Sequence, residues 1–353
     1  MTERIINVTP SMSMSKIQEC LKKSGCTIRF TKGTYNIDRT LYLYSNTKII
    51  LDNGAILKRI KKCYMLMTYV NKNTTKYNGQ KNITIQGGTI IGNGNKGITN
   101  LINIVHAQDI IIKDVHIKNN VGCHAIEINS SKNVIIEKCH FDKNIVDKKN
   151  PFREAIQIDF AFGKGLRYVT NLSSKCYDDT HCSNIKVIGN KFDGYNVAVG
   201  THTQTKSNKK HTNIKILNNI CNGVGAIGGY GSCFKIINME NVLIDNNIIN
   251  GYARGVEITT AKKFYSTNGS ITKNKPNCVT GSKNITITNN TIKQPSKDFK
   301  ASGIYITSHF DDIVHDGIVI EDNMFKLYNG VSKYNVFYEN AENVKEKNNK
   351  SDL

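Results

Sequence analysis

The 353 residues carry a formal net charge of +20, with no Trp and only 4 Pro. The sequence has no apolar run long enough for a membrane-spanning helix, and its ten cysteines are too sparse, and lack any C-x-x-C pair, for a disulfide scaffold. Beyond simple solubility, the charge favours a polyanionic partner: nucleic acid, an anionic polysaccharide or an acidic membrane surface.

The chain starts MTERIINVTPSMSMSKIQ, which lacks a basic segment followed by an apolar one. No signal peptide is therefore read, and the expected location is cytoplasmic, or outside after lysis or phage-associated release. The stretch SMSMSKIQECLKKSG reads as a helix: Ser13 or Ser15 caps it, Ile17 and Leu21 share a face, and Gly25 ends it. It is expected to cover an open core end, within a cap of about residues 10–30.

From residue 81 onward a pattern repeats, N-[IV]-x-[IV]-x-x-N/C-x-[FI], as in KNITIQGGTI, KNVIIEKCHF and KNITITNNTI. Its leading positions are 82, 109, 133, 184, 213, 241, 284 and 317. Each unit is a short period-2 strand, an Asn- or Gly-rich bend and another apolar pair. Such a unit cannot bury its own apolar face, so it needs a neighbour stacked above and below. Asn suits the bends because it tolerates left-handed backbone, and its stacked side chains can form ladders between coils. A second strand class runs between the anchors: HAIEIN (124), EAIQID (154), YNVAVG (195), CFKIIN (233), RGVEIT (254) and SGIYIT (302). These six are expected to form one parallel sheet. Anchor spacings of 51 and 43 residues leave loop insertions at about 160–181 and 261–280, both following the second strand class. The last residues, about 338–353, read as a polar tail. The cysteines, Cys176 and Cys182 included, read as reduced and mostly buried.

The helix, then FTKGTYNI, then LYLYSNTKIILDNGAILKR and the Asn-anchored coils resemble the right-handed parallel β-helix superfamily. That superfamily contains pectate lyases, polygalacturonase-type glycosidases, uronan epimerases and phage tailspike depolymerases. The resemblance implies an all-β fold: one right-handed, single-stranded parallel β-helix over residues 1–353 with a short N-terminal capping helix.

Aligning the second strand class puts its outward residues in columns. One reads Glu127, Gln157, Ala198, Lys235, Glu257, Tyr305; the next reads Asn129, Asp159, Gly200, Ile237, Thr259, Thr307. Neighbouring coils lie about 4.8 Å apart, so Glu127 and Asp159 are expected to be close, with Ala198 and Gly200 leaving a hollow beside them. The loop YDDTH, expected to fold over this floor, adds Asp178, Asp179 and His181, and His202 follows the next strand. Glycoside hydrolysis needs one protonated and one ionised carboxyl group, and close like charges supply the first. Asp159, Asp178, Asp179 and His202 are thus the catalytic candidates. Glu127, Arg153, Glu154, Gln157, His181, Lys235, Arg254 and Glu257 are the substrate-binding candidates. His106, His116, His140 and the segment HFDDIVHD (309–316) read as structural.

Polygalacturonase-type enzymes present Asn-x-Asp, an Asp pair, Gly-His and Arg-x-Lys in that order. Here QID, DD, GTH and FKI stand in those places, which maps Asp159, Asp178, Asp179, His202 and Lys235 onto the motif. Gln157 replaces the Asn, Thr201 separates Gly200 from His202, and the Arg is missing. Elimination from a uronate would use a base such as His202, with Arg153, Lys235 or Arg254 neutralising the carboxylate. No cofactor motif is read, although the pectate lyase resemblance implies Ca²⁺ on Asp159, Asp178 and Asp179. Carboxylates outnumber bases on this floor, which ranks hydrolysis of an anionic polysaccharide ahead of elimination or epimerisation. The competing class is a non-catalytic glycan-binding or phage receptor-binding β-helix, trimeric in the phage case. Acidic groups in the groove argue against nucleic acid.

Overall fold

Left-handed backbone at fixed positions converts the sequence repeat into coils. All eight leading positions, Asn82, Asp109, Asn133, Asn184, Asn213, Asn241, Asn284 and Gly317, have φ between 54° and 67°. A second set, including Asp114, Lys138, Asn218, Asn246 and Asn289, makes the next bend in the same way. Each coil of the repeat then has three strands: a long one such as Lys132–Glu137, a short one such as His140–Asp142, and one of the second class such as Glu154–Asp159. The computed structural model describes residues 4–92, 99–120, 122–143, 154–162, 173–223, 231–266, 270–294, 301–328 and 334–352.

The coils stack as a right-handed parallel β-helix. Corresponding strands of successive coils pair in parallel: Lys132–Glu137 lies between Gln108–Lys113 and Ser183–Ile188, and His140–Asp142 between His116–Lys118 and Lys191–Asp193. The second class forms one ten-stranded sheet: Leu41–Leu43, Leu66–Thr68, Ile102–Val105, Ile126–Asn129, Glu154–Asp159, Val197–Gly200, Ser232–Ile237, Arg254–Thr259, Ser302–Ile306 and Tyr334–Tyr338. It therefore holds the six expected strands plus three before and one after them.

Inward positions supply the core. Ile110, Val134, Ile185, Ile214, Val242, Ile285 and Ile318 make one column of buried branched side chains. Phe141 and Phe192 stack at 4.7 Å on adjacent coils. The helix Met14–Leu21 is capped by Ser13, whose hydroxyl accepts from the Lys16 N–H at 3.2 Å, and it buries Ile17, Cys20 and Leu21. Its Gln18 occupies the edge of the ten-stranded sheet by donating to Tyr42 O (3.0 Å) and accepting from Tyr42 N–H (2.8 Å), which satisfies backbone groups that an open edge would leave unpaired.

Residues 338–352 do not form a tail. Ala341–Lys347 and Lys350–Ser351 pair in parallel with His315–Glu321 and Met324–Lys326, so they add a further turn of the solenoid. All ten cysteines are unpaired thiols.

A ladder runs along one bend through the buried Asn190, Asn219, Asn247, Asn290 and Asn323 to the part-exposed Asn349. The first five side-chain N–H₂ groups each donate to the next Asn Oδ1 at 2.9–3.1 Å. Each also donates to a carbonyl of the preceding coil, as Asn247 does to Ile216 O at 2.9 Å. Asn247→Ala removes the acceptor of both the Asn219 amide and its side chain. Leaving buried donors unpaired costs about 1–3 kcal/mol each. The expected result is a lower unfolding midpoint and faster hydrogen exchange at the Asn219 amide; an unchanged rate there would remove the ladder from the list of stabilising features.

Candidate active site on the ten-stranded sheet

The register of the sheet sets the outward column as Tyr42, Met67, Asn103, Glu127, Gln157, Gly200, Lys235, Glu257, Tyr305 and Phe337. This corrects one strand of the expected alignment. Gln157 faces Gly200, not Ala198, and Ile156 faces Val199. The shift is two residues because Tyr195 and Asn196 are used in the bend after Gly194, whose φ is +79°. Ala198 is buried in the core. Gly200 does not leave a hollow: a Cβ there would sit 2.9 Å from both Lys235 Cβ and Lys235 O. Its missing side chain lets the Lys235 strand approach closely.

The structure brings Glu127, Glu154, Gln157, Asp159 and His202 into one cluster. The first four are buried to 4% exposure or less, whereas the His202 side chain is 38% exposed. Glu127 accepts from Asn129 Nδ2 at 2.8 Å and from Asn100 and Asn103. Burial raises its pKa, against the pull of these donors. Asp159 accepts from Gln157 Nε2 at 2.7 Å, from the Phe160 N–H at 2.7 Å and from the Thr203 hydroxyl. Burial, then the charge of Glu127, pushes Asp159 up to about 7, against His202 and Thr203.

Glu154 goes the other way. Burial works to raise it, but the charge and hydrogen bond of His202, with His124 behind, bring it down to about 2. His202 Nδ1 lies 3.2 Å from Glu154 Oε1 and 3.4 Å from Gln157 Nε2. His124 Nδ1 lies 3.3 Å from Glu154 Oε2, and its ring stacks on His202 with centroids 6.0 Å apart. A carboxylate that is ionised and buried thus holds the half-exposed imidazole in place.

The next coils carry a cationic and aromatic patch. Arg254 donates to Glu257 Oε1 at 2.7 Å, and Lys235 Nζ stands 3.8 Å from Glu257 Oε2. The Arg254 guanidinium lies 4.2 Å over the Tyr305 ring, which stacks on Phe337 at 4.9 Å. Lys235, Arg254 and Glu257 are therefore adjacent, as their column position requires.

Asp178, Asp179 and His181 are elsewhere. Asp178 accepts from the Lys76 N–H at 2.5 Å and the Thr180 N–H at 3.1 Å, and Asp179 accepts from the Ser207 hydroxyl. His181 lines a separate cavity of about 510 Å³ with Lys76, Tyr77, Thr180, Lys209 and Lys210. In the described part of this loop Ser173 and Cys176 donate to Lys72 O and Asn71 O, and Tyr177 packs in a cluster with Met67 and Tyr42 of the earlier coils; residues 163–172 lie outside the described residues. The three aspartates share no oxygen cage: donors occupy each carboxylate separately. They do not fit a common Ca²⁺ ion. Arg153 lies outside the described residues. In HFDDIVHD, His315 is buried, accepting from the Ser282 N–H at 2.9 Å and donating to Thr307 O at 3.0 Å.

Sequence reasoning assigned no role to Asn100, Asn103, His124, Thr203 or Phe337. Asn103 and Phe337 were within reach, because INIV and YNVFY continue the same alternation one strand before and one after the aligned set. Thr203 and Asn100 lie outside the strands, where periodicity carries no signal.

No family model matches the chain. It is 26% identical to plasmin and fibronectin-binding protein A of Streptococcus pneumoniae over 91% of its length, and the match spans 55% of that relative. Among solved structures it is similar to PfbA, described as a surface adhesin of S. pneumoniae (20% identity, TM-score 0.74, 96% of this chain and 86% of that one). It is also similar to a family 28 exopolygalacturonase of Yersinia enterocolitica (14%, TM-score 0.67, all of this chain and 76% of that one). At these identities the structural likeness is one of fold. No described helix is long and apolar enough to cross a membrane. The expected cytoplasmic location gains no support from a relative whose structure is described as a surface adhesin.

Proposed function

We propose that the groove over the ten-stranded sheet binds an anionic, uronate-containing polysaccharide and cleaves it by β-elimination, with His202 as the base. The observation that carries this reading is the exposed His202 imidazole backed by the buried, ionised Glu154. In this chemistry His202 takes the proton α to the uronate carboxyl group. The electron pair forms a carbon–carbon double bond, and the glycosidic oxygen leaves with its electrons and is protonated. The carboxylate must be neutralised for that proton to be acidic. Lys235 and Arg254 supply charge, and protonated Asp159, held by the buried Gln157 Nε2, keeps the floor beneath uncharged. Tyr305 and Phe337 give the chain of sugars an apolar face.

Hydrolysis, favoured by the sequence, loses its main support once Asp178 and Asp179 are separated from Asp159. A second reading, binding without cleavage, is favoured by the near-complete burial of Glu127, Gln157 and Asp159 and by the likeness to an adhesin. Incubation with a panel of uronate polymers separates the three. New reducing ends with ultraviolet absorbance from the new double bond support elimination. Reducing ends without that absorbance mean hydrolysis. Retention on immobilised polymer with neither signal leaves binding alone.

Asp159 also predicts a pH dependence. Its proton leaves as pH rises through about 7, which places a negative charge beneath the substrate carboxylate. KM should therefore rise above neutrality in the wild type and stay flatter in Asp159→Asn. Parallel KM profiles for the two proteins would remove Asp159 from substrate recognition.

A further inference from the structure

The long strands carry an outward column of their own, in which Lys132, Ser183, Thr212 and Glu240 face one another on successive coils. Two short hydroxyl side chains between longer ones leave a hollow, and the Thr212 hydroxyl bonds to that of Ser183 at 3.1 Å. Three loop segments, 76–77, 180–181 and 208–210, roof it. These segments are tied to their surroundings and to one another. Tyr77 Oη donates to His181 O at 2.8 Å, the Lys76 N–H donates to Asp178, and the Ser207 hydroxyl donates to Asp179. Lys210 Nζ donates to Asn208 Oδ1 and to Thr280 O, both at 3.2 Å. The enclosed cavity of about 510 Å³ has the size of a small-molecule site.

We propose that this cavity binds a carboxylate-bearing sugar, at a site separate from the groove and independent of cleavage there. Lys76, Lys209 and Lys210 line it against one carboxylate, Glu240, among the described residues. Burial pulls Lys210 down to about 8 despite Glu240, so its ammonium is poorly compensated and a bound carboxylate would relieve it. The two acceptors of Lys210 Nζ take two of its three N–H groups, which leaves one for a ligand.

Glu240 selects a sugar acid over a bare inorganic anion. It would repel the latter, whereas a sugar offers hydroxyl groups that a carboxylate accepts. His181 adds a second polar contact of this kind. Burial, then the charge of Lys209, holds its imidazole below the ordinary pKa, against Asp179. The neutral ring both donates to and accepts from hydroxyls. The Tyr77 ring, edge-on to His181 at 6.3 Å and 5.1 Å from Lys132 Nζ, forms with the lysine stems an apolar wall for the C–H face of a pyranose.

The test is a titration of the full chain, carrying isotope-labelled histidine, followed by nuclear magnetic resonance, with His181→Gln identifying the His181 signals. Galacturonic acid should shift those signals saturably and raise the His181 pKa, because a carboxylate placed beside an imidazole favours its charged form. Galactose and acetate should each bind more weakly. Lys76→Gln combined with Lys209→Gln changes two exposed side chains and should weaken galacturonic acid about tenfold, the loss of one charge-assisted hydrogen bond. Tyr77→Leu should weaken it as well. Three results would each overturn the site: no saturable response at His181, acetate binding as tightly as galacturonic acid, or undiminished binding in both variants. The groove is read separately, from His202. Shifts at His202 with none at His181 would leave the groove reading intact and remove the cavity site.

Discussion

His202→Ala is expected to lower kcat on a uronate polymer by about 10²–10⁴-fold, the usual contribution of a positioned general base, while retention on the same polymer persists. The separation of effects follows from placement. His202 sits over the Glu154–Gln157–Asp159 cluster, whereas the cationic and aromatic contacts belong to Lys235, Arg254, Tyr305 and Phe337 on the following coils. A loss of retention equal to the loss of rate would mean that His202 only binds. An unchanged rate would refute its role as the base. Tyr305→Ala serves as the opposite control, since it should weaken retention and raise KM more than it lowers kcat.

Glu154→Gln carries the largest expected cost in stability. The Glu154 pKa falls from an ordinary 4.5 to about 2 in the folded protein, and one pKa unit corresponds to about 1.4 kcal/mol, so the carboxylate contributes up to about 3 kcal/mol. The sign follows from the depressed value. The contribution is fully present above the unfolded pKa and is lost as pH falls from there through about 2. The midpoint difference between wild type and Glu154→Gln should therefore be large near pH 5 and shrink on acidification. Glu154→Gln should also lower kcat, because Glu154 acts through His202 as a positioning residue. A difference that stays constant between pH 5 and strong acid would show that the buried charge is not the source.

Much of the fold is legible because its causes are local. Asn82, Asn133, Asn241 and their counterparts sit in left-handed backbone, where a short polar side chain is among the few that fit. The Ile and Val alternation that follows each of them fixes which face is buried. The same two signals placed the six strands of the second class on one sheet and put Glu127, Gln157, Lys235, Glu257 and Tyr305 in one column.

The remaining features depended on contacts between distant segments. The shift at Val197–Gly200 is an even number of residues, so period-2 alternation leaves Gly200 outward in either register; only the pairing of Gln157 with Gly200 reveals it. Asp178 and Asp179 looked catalytic by order along the chain, but their loop is held by the Lys76 N–H and by Ser207, contacts no spacing rule anticipates. Nor does sequence distinguish Asp159 from Glu154. Both are carboxylates on the same strand that burial raises; Glu127 adds to that rise at Asp159, whereas His202 and then His124 overcome it at Glu154. The sequence thus determined the coil and its inward face, since backbone sterics and burial act within a few residues. The tertiary structure decided register, loop path and protonation state, since each depends on which coil comes to lie next to which.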